Sequence, residues 1–128
     1  MILEYHPDFL ERQHIIHRGL GAKEQPLNIQ SCGHYIAGKQ YSVRRQGLNN
    51  LLLIHTKAGK GLLLLKGRRI ELVQGTCILI DCRLFHHYAT MADGQWQFEW
   101  VHIGGFAAQY FAKKIGFSPI MDCSVSFF

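Results

Sequence analysis

The residues best suited to chemistry lie in FHHYATMADGQWQFEWVHIGG, residues 85–105, where two adjacent histidines and a tyrosine precede two tryptophans, a phenylalanine and a third histidine. Imidazoles suit metal ligation or proton transfer, whereas flat rings with one polar edge suit an organic ligand. In a strand over 95–103, alternate side chains share a face. Trp96, Phe98, Trp100 and His102 then look one way, and Gln95, Gln97, Glu99 and Val101 the other. Such an aromatic face either packs a core or walls the lumen of a small barrel wide enough for one ligand. Aromatic faces match the C–H side of a sugar ring, and an arginine or indole N–H matches its hydroxyls. Arg44 and Arg45 are neighbours in the strand-like YSVRR, so alternation lets at most one of them point inward.

A mononuclear metal site needs three or four ligands that converge. His86 and His87 are adjacent and so project to opposite faces of a strand; His55 has no histidine two residues away and no acidic residue until Glu71. The remaining combination is His55, His86 and His102 meeting from three strands, which defines a metal-enzyme alternative. Other chemistries have no foothold. The sequence contains no G-x-S-x-G elbow, and GKG at 59–61 lacks the glycine spacing and the Ser/Thr of a phosphate loop, reading instead as a hairpin turn. No catalytic residue and no cofactor is expected on the leading interpretation.

These residues must be held by a sheet. Glycine-bearing turns at Gly47, 58–61, Gly67, Gly75, 92–94 and 104–105 divide short apolar segments, the pattern of an antiparallel sandwich or barrel. Strands are expected at 34–37, 50–57, 61–66, 69–73, 76–81, 86–90 and 95–103. A helix is expected over 106–115, with Ala107, Tyr110, Phe111 and Ile115 on its apolar side, closed by Gly116 and Pro119. Residues 1–32 read as an arm or edge element, with a possible short helix at 8–18. Residues 33–104 read as the barrel, and 105–128 as the helix and a tail.

Composition narrows the partners. A chain of 128 residues, 48% hydrophobic, suits one domain with a real core. Glu4, Asp8 and Glu11 interrupt the N-terminal segment, and the runs 51–54 and 62–65 are only four residues long, so neither a signal peptide nor a membrane span is expected. Cys32, Cys77, Cys82 and Cys123 show no C-x-x-C spacing and read as reduced thiols of a cytoplasmic protein. The net charge of +5 comes from scattered pairs such as Arg68-Arg69 and Lys113-Lys114, not from a basic helix or a nucleic-acid signature.

Taken in order, HYIAGKQYSVRR, LLLIHTKAGKG, KGRRIELVQGTCILID, FHHY and WQFEWVHIGGFAAQYF resemble the N-terminal ligand-binding domain of AraC-family transcriptional regulators, across roughly residues 33–116. The resemblance implies an all-β, cupin-like double-stranded β-helix (a jelly-roll barrel) with a C-terminal α-helix, whose lumen binds a small effector such as a sugar. It also implies that an N-terminal arm closes over the ligand. The full-length regulator would be a homodimer that reaches DNA only through a C-terminal helix-turn-helix domain not in this chain, and the abrupt FSPIMDCSVSFF fits a fragment of something longer. Carried over residue by residue, the resemblance points to Arg44, or Arg45 if the preceding tyrosine is matched, and to Tyr88 and Trp100 as ligand contacts. The aromatic face adds Trp96, Phe98 and His102. Where arabinose-binding members have a histidine two residues before the tryptophan, this chain has Phe98, which argues against arabinose itself.

Overall fold

The fold is described from a computed structural model, which covers residues 2–16, 25–92, 94–114 and 120–122, with Phe111, Ala112 and 120–122 described by their backbone alone. Ten strands and one helix follow in order: β1 (Ile2–His6), β2 (Phe9–Ile16), β3 (Asn28–Ala37), β4 (Ser42–Arg45), β5 (Leu51–Leu65), β6 (Arg68–Val73), β7 (Cys77–Asp81), β8 (His86–Thr90), β9 (Trp96–Gly104), α1 (Ala108–Lys114) and β10 (Ile120–Asp122). Every described pairing is antiparallel. One sheet runs β1-β4-β8-β5-β6 and the other β2-β3-β9-β5-β7-β10, so the two share β5. The result is a curled, double-sheeted antiparallel barrel, in keeping with the turn spacing, and it has the jelly-roll form that the family resemblance implied.

The sharing of β5 corrects one expectation. Residues 58–61 do not form a hairpin turn between two strands; β5 runs unbroken through them from one sheet into the other. Its inward positions are Leu52, Ile54 and Thr56 before the crossing and Gly61, Leu63 and Leu65 after it. The inward parity changes from even to odd because the ladder with β9 slips between Thr56 and Ala58, and one extra residue in a strand turns every later side chain over. Gly59 makes the bend possible with a φ of +70°, and a Cβ there would strike the Gln95 carbonyl. Gly61 is needed for a different reason: its bare backbone carries the Trp96 ring.

Between the sheets lies the core, in which Ile54, Leu63, Ile80, Tyr88, Trp96 and Phe98 are buried together. Alternation accounts for most of it, as in β8, where His86, Tyr88 and Thr90 are buried while His87 and Ala89 are only partly so. Residues 8–18 differ from expectation, because Phe9–Ile16 is a strand, not a helix. Paired along β3, it extends the sheet where an isolated helix of that length would be marginal in water; residues 17 and 18 lie outside the described residues.

At the other end, α1 starts at Ala108, two residues later than expected, and Ile115 with the expected closure at Gly116 and Pro119 lies outside the described residues. Ala108 is buried and packs with Leu51, Leu79 and Ile103 on the outer face of the second sheet, whereas Tyr110, placed on the apolar side from sequence, is 58% exposed. Cys82 is buried and Cys32 and Cys77 partly so; Cys123 is not among the described residues. No helix among the described residues is long and apolar enough to cross a membrane.

Candidate ligand-binding site

A cavity of about 210 Å³ opens inside the roll where β4, β8, β9 and the start of β5 converge under β1. Strand β9 supplies one wall through Phe98, Trp100 and His102, the alternate residues expected to share a face. Tyr35 and Tyr41 complete the aromatic lining, with ring centroids 5.4 Å from Trp100 and 5.8 Å from Phe98 respectively. Opposite them, β4 contributes Val43 and Arg45, and β8 contributes Tyr88. The rim is formed by Ile2 and Tyr5 of β1, whose side chains remain 55% and 42% exposed.

The arginine ambiguity is resolved by alternation in Y-S-V-R-R. Tyr41, Val43 and Arg45 are buried and Ser42 and Arg44 face out, so Arg45 lines the cavity and Arg44 does not. Arg44 instead reaches Glu4 (Nη1–Oε2 3.3 Å) and lies over the Phe85 ring on the outer surface. Trp96 also departs from the expected set. It shares the face of Phe98, but it is fully buried beneath the floor, stacks on Phe98 at 3.9 Å and donates its indole N–H to Thr56 Oγ1 at 3.1 Å. Its partner is therefore the core and not the cavity. Five of the seven residues expected to touch ligand, namely Arg45, Tyr88, Phe98, Trp100 and His102, border one space.

The three histidines of the metal alternative do not meet. His55 is on the outer face of β5, 3.7 Å from Glu99, which also pairs with Lys57. His86 and His102 face inward but are committed elsewhere: His86 Nδ1 donates to the Leu84 carbonyl at 2.8 Å and His102 Nδ1 to Asn50 Oδ1 at 3.2 Å, with Asn50 held in turn by Gln30. Among the described residues no group of three or more His, Cys, Asp or Glu side chains is arranged to hold a metal.

Electrostatically the site is simple. Burial, aided by the charge of Arg45, holds His86 down at about 4 and His102 at about 3, so both are neutral imidazoles near pH 7. Burial likewise raises Tyr41 and Tyr88 above the ordinary phenol range and Cys82 to about 12. Arg45 is thus the one charged side chain among those lining the cavity.

Sequence reasoning did not assign ligand-site roles to Tyr35, Tyr41, Ile54 or the rim residues of β1. For Tyr41 the signal was present, since it has the parity of Val43 and Arg45. For Ile2 and Tyr5 the resemblance implied only an N-terminal arm over the ligand and named no residue of it, because nothing local fixes β1 opposite β4.

Across residues 28–122 the sequence matches the family model of the AraC-like ligand binding domain. The chain belongs to that family. A search of curated proteins finds no match. Among solved structures, this AraC-like domain is similar to the protein YhaK from Escherichia coli, with a TM-score of 0.69 at 8% identity, over 94% of this chain and 53% of that one. It is also similar to an HTH_3 family transcriptional regulator from Vibrio cholerae (TM-score 0.55, 15% identity, 71% of this chain and 48% of that one) and to the Cupin_2 domain of an XRE family transcriptional regulator from Enterobacter cloacae (0.57, 9%, 73% and 94%). The chain therefore spans about half the length of the first two. At these identities the likeness is one of fold, the cupin barrel.

Proposed function

We propose that this AraC-like domain is the effector-sensing part of a cytoplasmic transcriptional regulator and that its effector is a compact, hydroxylated molecule of the size of a single sugar ring. The observation that carries the reading is the cavity itself: aromatic on one wall, with a buried arginine opposite. Its volume of about 210 Å³ falls below the ~300–1,000 Å³ usual for drug-sized ligands, which favours a small occupant. Phe98 and Trp100 offer ring faces, while the neutral His102, with Nδ1 committed to Asn50, keeps Nε2 as an acceptor for a hydroxyl.

Sensing in this reading makes and breaks no bond. Strand β1 is an edge strand paired only with β4, and it brings Ile2 and Tyr5 over the cavity, so an occupant touching them favours one placement of β1. A regulator switches only if its effector binds the two placements unequally. Contact with DNA, and the homodimer that would make it, belong to parts of the regulator beyond this chain; two of the fold's relatives being transcriptional regulators supports that assignment.

Thermal unfolding against a panel of monosaccharides and sugar acids tests the reading. An effector at one hundred times its dissociation constant adds about 2.7 kcal/mol to a folded state that alone binds it. The expected result is a ligand-specific rise in midpoint that Trp100→Ala abolishes while remaining folded. A rise of equal size in wild type and Trp100→Ala, or a folded chain indifferent to every member of the panel, refutes it.

A further inference from the structure

Arg45 is 8% exposed and borders the cavity, yet its Nε and Nη1 have no hydrogen-bond partner. No carboxylate among the described residues forms an ion pair with it. The nearest buried acid along the fold, Asp81, is already gripped by Arg83 through Nη2–Oδ2 at 2.8 Å and Nε–Oδ1 at 3.1 Å. Polar groups beside it include the Tyr88 hydroxyl, the Cys82 thiol and the Tyr41 hydroxyl, and Tyr88 also presents its ring 5.9 Å from the guanidinium carbon. All three keep their protons at neutral pH, so none supplies a negative charge. A buried guanidinium with open donors and no counter-charge is costly to the folded chain unless something else completes it.

We infer that the effector is a monocarboxylic acid, such as a sugar acid, whose carboxylate supplies the counter-charge that the buried guanidinium of Arg45 lacks. This rests on the sensing role proposed above and names the chemical class of the ligand. A carboxylate accepts a charge-assisted hydrogen bond from a guanidinium N–H and brings the counter-charge that a hydroxyl does not. Among the described residues lining the cavity Arg45 supplies the one positive charge, and neutral His86 and His102 add none, which matches a monoanion better than a phosphate dianion. Trp100 Nε1, also buried without a partner, gives the cavity wall a further donor for the rest of the molecule.

Matched pairs separate this inference from the role on which it rests. The chain is titrated calorimetrically with D-glucuronate and D-glucose, and, by NMR of the arginine Nε–H signals, with glycolate, ethylene glycol and inorganic phosphate; the Arg45 signal is assigned by its loss in Arg45→Gln. The expected result is that glycolate moves that signal while ethylene glycol and phosphate leave it in place. D-glucuronate is also expected to bind at least about thirtyfold more tightly than D-glucose, the low end for a buried hydrogen-bonded charge pair. Arg45→Gln abolishes that preference, and Arg44→Gln, altered on the outer surface, preserves it. If D-glucose binds as tightly as D-glucuronate, with binding lost in Trp100→Ala but retained in Arg45→Gln, the carboxylate inference falls and the sensing role stands. An Arg45 signal indifferent to glycolate, or one that answers to phosphate alone, also overturns the inference. Failure of every sugar and acid together with a silent Arg45 signal removes both.

Discussion

Acidification from pH 7 to pH 5 should cost this domain about 4 kcal/mol of stability, and most of that loss comes from two side chains. His86 is fully buried and His102 largely so; burial and the nearby Arg45 hold their pKa values at about 4 and about 3, against 6.5 for an exposed imidazole. In the unfolded chain both regain ordinary behaviour, so between pH 6.5 and 4 the unfolded state binds protons that the folded state refuses. Folded pKa values below the unfolded one mean that stability is intact above pH 6.5 and is lost as the pH falls towards the folded values. At pH 5 each histidine costs about 2 kcal/mol relative to pH 7, on the scale of 1.36 kcal/mol for each pKa unit. The pairing of Glu99 with Lys57 and of Asp81 with Arg83 adds loss of the same sign at lower pH, below the ordinary carboxylate range, which leaves the interval from 7 to 5 to the histidines. Partly buried His87, lowered in the same direction, steepens the slope slightly. Urea unfolding at half-unit pH steps measures the effect, and His102→Gln should remove about half of it. A free energy of unfolding that stays within about 1 kcal/mol over the interval refutes the neutral-histidine cavity.

Three further outcomes follow from the same geometry. Arg45→Met keeps the aliphatic packing while removing two unsatisfied donors, at about 1–3 kcal/mol each, against the loss of a cation–π contact of about 1 kcal/mol. The ligand-free chain should therefore gain about 1–5 kcal/mol in urea unfolding, and a loss of more than 1 kcal/mol would make the guanidinium a structural strut. Gly59→Ala places a Cβ against the Gln95 carbonyl at a φ of +70° and should cost more than about 2 kcal/mol, or prevent folding, as read by circular dichroism. Glu99→Gln, by contrast, breaks only the exposed contacts with His55 and Lys57 and should change stability by no more than about 1 kcal/mol.

The fold was legible in the sequence wherever its cause was local. Turn glycines spaced through residues 47–105 announced the strands, and the period of two in W-Q-F-E-W-V-H placed Phe98, Trp100 and His102 on one wall, where they are found. It failed where the cause was distant. G-K-G in the middle of β5 has the local chemistry of a hairpin; what makes it a crossing between sheets is Trp96, thirty-five positions after Gly61, lying on a glycine that has no side chain to obstruct it. The helix at 8–18 failed for the same reason, since the ladder with β3 is a long-range contact that helical spacing cannot register.

The arginine pair falls between these cases, and its resolution shows what carries the site. Parity in Y-S-V-R-R ties Arg45 to Tyr41 and Val43 and Arg44 to Ser42, so whichever face is apolar takes Arg45 with it. An inward charge on that face violates the ordinary pattern of a core strand, and nothing in the described fold repairs the violation: Glu4 answers Arg44 outside, Arg83 occupies Asp81, and the residues around Arg45 are neutral. A chain that folds with such a defect has reason to hold it where a ligand can reach it, between the aromatic wall of β9 and the edge strand at the mouth.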